Sequence, residues 1–401
     1  MKMSYRLIVA LCLTGTALSL PASAEDVPDA AAALFAMMER AYGAKPAYDS
    51  IEESDDGDIT IANLRIEKPA VGGGPAMKAQ IAEISMTGVE DADDGIIEVG
   101  EASFSNLSVD IQNPGMAVQV TLPEGTAEGW YLKKLEQGAS AQDQFRAAMN
   151  VARKMSGAKM TVTASGQTYT VDNYESTWDG DPKTGAGKFT MKATNIAVPE
   201  AALALADQGG MLKQLGYTNL NFDFSSEGQM DVANGNIGLD VNMGIAGKDI
   251  GTFRLSFAAA DVPVAAYGEL QSAQNSGKEP DFTALMPQLQ AVTFKSAALR
   301  FEDSSLTKRL LPMLAQMQGV DEATLISNAG AMMQVGLMQL QSPDFSARTV
   351  AAVNSFLQSP KSITVAVKPS APLKVQELMT LNPAAPGEAI TKLGVSVSAN
   401  D

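Results

Sequence analysis

From Asp58 onward the chain adopts a two-residue apolar period that slips by one residue and then resumes. No other feature constrains the fold as much. Ile59 and Ile61 alternate, then Leu64 and Ile66 alternate on the shifted phase. The same frame fits Ala79, Ile81, Ile84 and Met86, then Ala102, Phe104, Leu107 and Val109, and later Val292, Phe294, Ala297 and Leu299. A weaker copy, with polar Thr194 as its third member, runs Phe189, Met191, Thr194 and Ile196. Side chains of a strand point alternately to its two faces, so a period of two marks a half-buried strand and one extra residue marks a bulge or corner. Two copies lead directly into helical patterns, Val198-Pro199 into Glu200 to Leu215 and Phe301 into Ser304 to Met317.

Simpler alternation predicts strands at Met160 to Thr163, Tyr169 to Trp178, Leu220 to Phe224, Ile237 to Ile245 and Phe253 to Phe257. Asp181 to Gly185 and Asn234-Gly235 between them carry turn chemistry. Helices are expected at Pro28 to Tyr42 and at Ser140 to Ser156. The second would have a Ser140/Asp143 cap, an apolar face of Phe145, Ala148, Ala152 and Met155, and Arg153 and Lys154 in its last turn. Three more follow: Ser304 to Met317 with a kink at Pro312, Asp321 to Leu340, and Pro343 to Gln358. Short strands at Ser362 to Val367 and Leu393 to Ser398 come after them. The fold class implied is α+β: an elongated, twisted, mainly antiparallel sheet of repeated strand-bulge-strand units, with helices packed on one side and a helical C-terminal region. The expected division is a leader at 1–24, a helix plus first β-rich block at 25–157, a second β-rich block at 158–270, and at 271–401 a short β segment, helices and final strands. Gln271 to Pro280, polar and aperiodic, is the linker.

The first residues have the order of a secretory signal: basic Lys2 and Arg6, an apolar run from Leu7 to Leu20, and an Ala22-Ser23-Ala24 cleavage site before Glu25. The apolar run is shorter than the roughly 20 residues a spanning helix needs, and Ala329 to Leu340 is about half that length. The expectation is therefore a periplasmic protein with no transmembrane segment in the mature chain. Cys12, the single cysteine, falls inside the leader, and Leu11 before it departs from a lipoprotein signal. With 46 acids against 29 bases the chain would repel phosphate backbones, which excludes nucleic acid as a partner.

No histidine occurs anywhere, so Ser-His-Asp and Cys-His catalysis and histidine-bound metals are excluded. Three groups of residues remain. Ser305-Leu306-Thr307-Lys308, Lys183-Thr184-Gly185 and Ser398-Ala399-Asn400 spell the elements of a serine acylase, but in the wrong order. A helix cap, a turn and a strand end explain them as well. Asp91 to Gly95 approaches a calcium loop, but its glycine is early and the twelfth-position glutamate is missing, so it reads as a solvated acidic turn. Met313, Met317, Met332, Met333 and Leu337 concentrate adaptable side chains in the helical region. They form the candidate hydrophobic-ligand surface, weighed against plain core packing and cuprous copper. No cofactor, metal or catalytic residue is assigned.

The Ile59-to-Ile66 and Val292-to-Phe301 frames, the strand-to-helix step at Ser304-Ser305-Leu306 and the Leu215-Gly216-Tyr217 opening of a hairpin array resemble AsmA- and YdgA-type bacterial envelope proteins, over about residues 58 to 320. That resemblance implies a long twisted sheet with an apolar concave face, and an envelope-maintenance or lipid-handling role. Proteins of that type keep an N-terminal membrane helix, whereas this leader ends in a cleavage site. The functional expectation is a non-enzymatic periplasmic protein that binds a lipid or other hydrophobic ligand, or an envelope protein partner. The alternatives are a purely structural interaction module and a serine hydrolase using Ser305 and Lys308.

Overall fold

The computed structural model describes residues 27–70, 75–113, 116–135, 138–149, 151–207, 209–266 and 282–401; the leader and the Gln271 to Pro280 linker lie outside them. Fifteen strands belong to one antiparallel sheet. The chain divides into two compact units, residues up to 191 with 230–237 and 263–287, and residues 192–229 with 238–262 and 288–401.

In the first unit, strands β1 (Ser50–Glu53), β2 (Ile59–Lys68), β3 (Ala76–Ala92), β4 (Ile96–Asn113), β5 (Met116–Lys133), β6 (Val151–Ala164) and β7 (Gln167–Gly180) neighbour one another in chain order. Helix α1 (Asp29–Tyr42) has an acid in its first turn and Arg40 in its last, which suits the helix dipole. Gly43, at φ 72°, ends it in the left-handed conformation and donates its N–H to the Glu39 carbonyl at 2.8 Å. Ala30, Ala31, Leu34 and Met37 of α1 are buried in one cluster with Ile59, Ile61, Ile84, Met86, Val99, Ala127 and Trp130.

The phase slips mark real breaks in the ladder, but most are two-sided. Pairing passes from Ala62↔Glu83 to Leu64↔Ile81, and from Ser105↔Glu124 to Leu107↔Leu122, so both strands step over one residue together and keep register. Asn63 and Asn106 occupy the steps at φ 50° and 51°, a region that asparagine tolerates better than branched residues. A one-sided bulge, the form the sequence predicts, occurs at Lys295, where pairing jumps from Ala258↔Ser296 to Ala259↔Phe294. Asn106→Val should therefore cost about 1–2 kcal/mol in a denaturant titration, the penalty of forcing a β-branched residue left-handed.

Two helix expectations are corrected. The helix capped by Ser140, α2 (Ala141–Ala148), is shorter than expected, and Ala152, Arg153, Lys154 and Met155 lie on β6 instead. Its cap is as expected, with Ser140 Oγ accepting the Asp143 N–H at 3.1 Å. Pairing of β6 with β5, through Trp130↔Ala152 and Tyr131↔Val151, overrides the local helical pattern. β5 itself escapes a sequence reading because Pro123, Gly125 and Gly129 look like breakers. Pro123 lies at a step between paired residues, where no ladder donor is required. Arg146, in the last turn of α2, is 1% exposed and donates to the carbonyls of Pro182 and Tyr131; burial pulls its pKa down to about 10, against the opposing charge of Asp181. The predicted Glu200-to-Leu215 helix is two short ones, Glu200–Ala206 and Met211–Gln214, parted at Gly210 (φ 66°).

The second unit holds β9 (Leu220–Ala233), β10 (Asn236–Gly247), β11 (Gly251–Pro263), β12 (Thr293–Asp303), β13 (Ser362–Val367) and β15 (Val395–Ala399) in that order, for the parts that fall within it, with β14 (Leu373–Lys374) beside β12. β8 (Gly187–Val198) precedes them. Asn234 and Gly235, at φ 52° and 74°, turn β9 into β10. Helices Leu306–Gln318, Glu322–Met338 and Pro343–Gln358 connect β12 to β13. Among the described residues no helix is long and apolar enough to cross a membrane.

Candidate functional site

Register determines what each face of the second unit's sheet carries. β11 to β15 align three cross-strand rows: Phe253–Phe301–Ile363–Ala399, Leu255–Leu299–Val365–Val397 and Phe257–Ala297–Val367–Val395. All twelve positions are apolar, and by the two-residue period all lie on one face. The same face continues onto β9 and β10. A Cβ on Gly244 would meet Ser225 Oγ at 2.8 Å and the Arg254 guanidinium at 3.8 Å, which puts even-numbered β10 residues on the other, polar side. A Cβ on Gly247 would meet the Phe222 ring at 2.9 Å, so Leu239, Val241, Met243 and Ile245 share the apolar side with Phe222.

The opposite face is polar and internally paired. Arg300 bonds Glu302 at 2.9 Å and Asp401 at 2.7 Å, and Arg254 lies 3.4 Å from Glu302. The Arg300 guanidinium is the main reason that both carboxyls, Glu302 and Asp401, are held below the usual carboxylate range. A sheet with one ion-paired face normally covers the other.

Here the cover over the apolar face is partial: beyond the third row buried Leu373 pairs with Phe294, while Phe253 of the first row stays 46% exposed. Phe356 of the third helix packs edge-on against Phe301, 6.3 Å between ring centres, and Asn400 Nδ2 donates to the Ser355 carbonyl. Leu306, Leu310 and Met313 close over Leu215, Tyr217 and Leu220. Farther along the strands Leu255, Leu299 and Val365, the middle row, stay 42%, 52% and 44% exposed. The first unit gives the internal contrast: under α1, the face residues Ile59, Ile61, Ile84, Met86, Val99 and Ala127 are all 2% exposed or less. Equivalent strand chemistry is sealed in one unit and open in the other.

The methionine surface expected from sequence divides. Met313 faces the Leu215–Tyr217–Leu220 core, and Met333 and Leu337 are half-buried one turn apart. Met317 and Met332 project into solvent at 70% and 77% exposure. Sequence reading missed the rows. Their signal was present in the alternation of Phe253 to Phe257 and of Ser362 to Val367, but exposure depends on where helices lie, which alternation does not encode.

Ser305 occupies the N-cap position without capping; Asp303 Oδ1 accepts the Thr307 N–H at 2.7 Å in its place. The Ser305 hydroxyl donates to the Asp249 carbonyl and lies 3.0 Å from the Tyr217 hydroxyl, while Lys308 is exposed. Thr184 of the Lys-Thr-Gly run bonds Asp181 within its turn, and Ser398 bonds Asp401. In the acidic turn, Asp91 pairs with Lys134 at 3.2 Å and Asp94 with Lys183 at 2.9 Å, so lysines take up these carboxylates. A polar hollow of about 440 Å³ lies in the second unit, lined by Asn195, Asn221, Asp223, Lys248, Thr252 and Ser304 among others.

No curated protein matches this chain. A family model described as an uncharacterized protein matches residues 244–400, a span that contains β11 to β15, the three helices between β12 and β13, and therefore all three apolar rows.

Proposed function

We propose that this is a non-enzymatic periplasmic envelope protein that binds the acyl chain of a lipid, or a similar long apolar ligand, on the open sheet face of its second unit. One observation carries this reading: a register-aligned apolar face, three rows deep and four strands wide, is left 42–52% exposed along its middle row from Leu255 to Val365. Soluble proteins rarely leave a contiguous apolar surface of that kind open unless something binds there. A continuous apolar face suits a flexible hydrocarbon chain, whose contacts are numerous, weak and undirected. The secretory order of the leader supports an envelope location, where acyl chains are abundant. An enzymatic reading lacks comparable support, since the Ser305 hydroxyl is engaged by a backbone carbonyl.

Native mass spectrometry of protein purified from its own envelope without detergent is expected to show a population heavier by the mass of one lipid. A spectrum of ligand-free protein only, from membranes rich in lipid, would count against the proposal.

A further inference from the structure

The sheet has two edges, and they are built differently. β1 begins the strand order and carries Glu52 and Glu53 among its four residues, whereas β15 ends the order with no charge and no proline. An edge strand offers unpaired N–H and C=O groups to any strand that fits, and charges or proline guard against that. Among the described residues β13 is the only strand paired with β15, and no other backbone hydrogen bond reaches residues 395–399. We propose that this edge takes β15 of a second copy of the chain, antiparallel across a two-fold axis, so that two sheets join into one. The pairing does not depend on the acyl-chain reading above.

The residues of β15 suit such an axis. Val395-Ser396-Val397-Ser398-Ala399 has the same apolar-polar order in both directions, so an antiparallel pairing centred on Val397 opposes Val397 to its own copy, Val395 to Ala399 and Ser396 to Ser398. Apolar residues meet apolar ones, serine meets serine, and no like charges are set opposite, in a chain with a net charge of −17. Directly opposed residues share a face, so Val395, Val397 and Ala399, which end the three apolar rows, continue into the rows of the second copy. A slip of one residue would set valine against serine and turn the two sets of rows to opposite faces. The two-fold uses both β15 edges and closes at two copies, while the glutamates of β1 oppose further edge-to-edge growth.

Sedimentation equilibrium of the wild-type protein from about 1 µM to about 100 µM tests this, since self-association must follow protein concentration. A monomer–dimer equilibrium is expected, with no larger species. Hydrogen exchange at the two ends of that range is expected to slow, at the higher concentration, the amides of 395–399 that do not pair with β13, and to leave those of β1 unchanged. Val397→Lys and Val397→Glu should each weaken dimerisation about tenfold or more, because like charges then face each other across the axis, and an equimolar mixture of the two should restore it. Monomer throughout the range, assembly beyond the dimer, or a dimer whose β15 amides exchange as in the monomer would overturn the proposal. Dimers of both variants as tight as the wild type would place the interface elsewhere and overturn it too. The wild type alone supplies the first two readings, so misfolding of a variant would not shield the idea.

Discussion

Leu34→Ala in α1 is expected to destabilise the first unit by about 3–5 kcal/mol, measured as a shift of its denaturant midpoint. Leu34 is fully buried against Ile59, Ile61, Ile84 and Met86, with backbone and side chains of α1 on one side and the sheet on the other. Truncation removes three carbon atoms from a cluster that has little room to collapse, so both the transfer and the cavity contributions apply. A cost below about 1 kcal/mol would mean that α1 is not the cover that separates the two faces, and the contrast between sealed and open sheet would fail.

Leu299→Glu should have the opposite signature. This leucine is chemically the same kind of residue on the same kind of face, yet it is 52% exposed and lies in the middle of the open rows. Stability should change by no more than about 0.5 kcal/mol, as for other surface substitutions. Acyl-chain affinity should fall on the order of a hundredfold, about 2.7 kcal/mol, because a carboxylate must be desolvated beneath the hydrocarbon. A single substitution is preferable to changing Leu255 as well, since like charges directly opposite on neighbouring strands add their own repulsion. Unchanged affinity in a folded Leu299→Glu protein would place the ligand elsewhere or remove it.

Much of the architecture was legible because strands announce themselves by period. Ile59 to Ile66, Ile237 to Ile245 and Ser362 to Val367 all appear where alternation put them, and Asn234-Gly235 turns the chain as its residue types require. The reading failed where long-range pairing competed with a local pattern. Ala152 and Met155 fit a helix stripe, but their partners Trp130 and Ala127 on β5 are more than twenty residues away, and β5 was hidden by its own Pro123, Gly125 and Gly129. The binding face was half legible. Its apolar alternation could be read, whereas its openness arises because the first and third helices after Ser304 pack near Leu220 and Phe301 and leave Leu255 and Leu299 uncovered. Met332 and Met317 drew the eye as adaptable side chains, yet they sit on the outer surfaces of those helices.

The central claim is that hydrocarbon lies on the rows around Leu299, and affinity as a function of chain length tests it most directly. A series of fatty acids differing by two methylenes, titrated calorimetrically into wild type and Leu299→Glu, reads the burial of each added group. Each buried methylene contributes about 0.8 kcal/mol, so affinity should rise roughly fourfold per methylene until the chain overruns the rows, and that rise should be lost in the variant. Saturable binding that does not depend on chain length, or no saturable binding to folded wild type, would contradict the account.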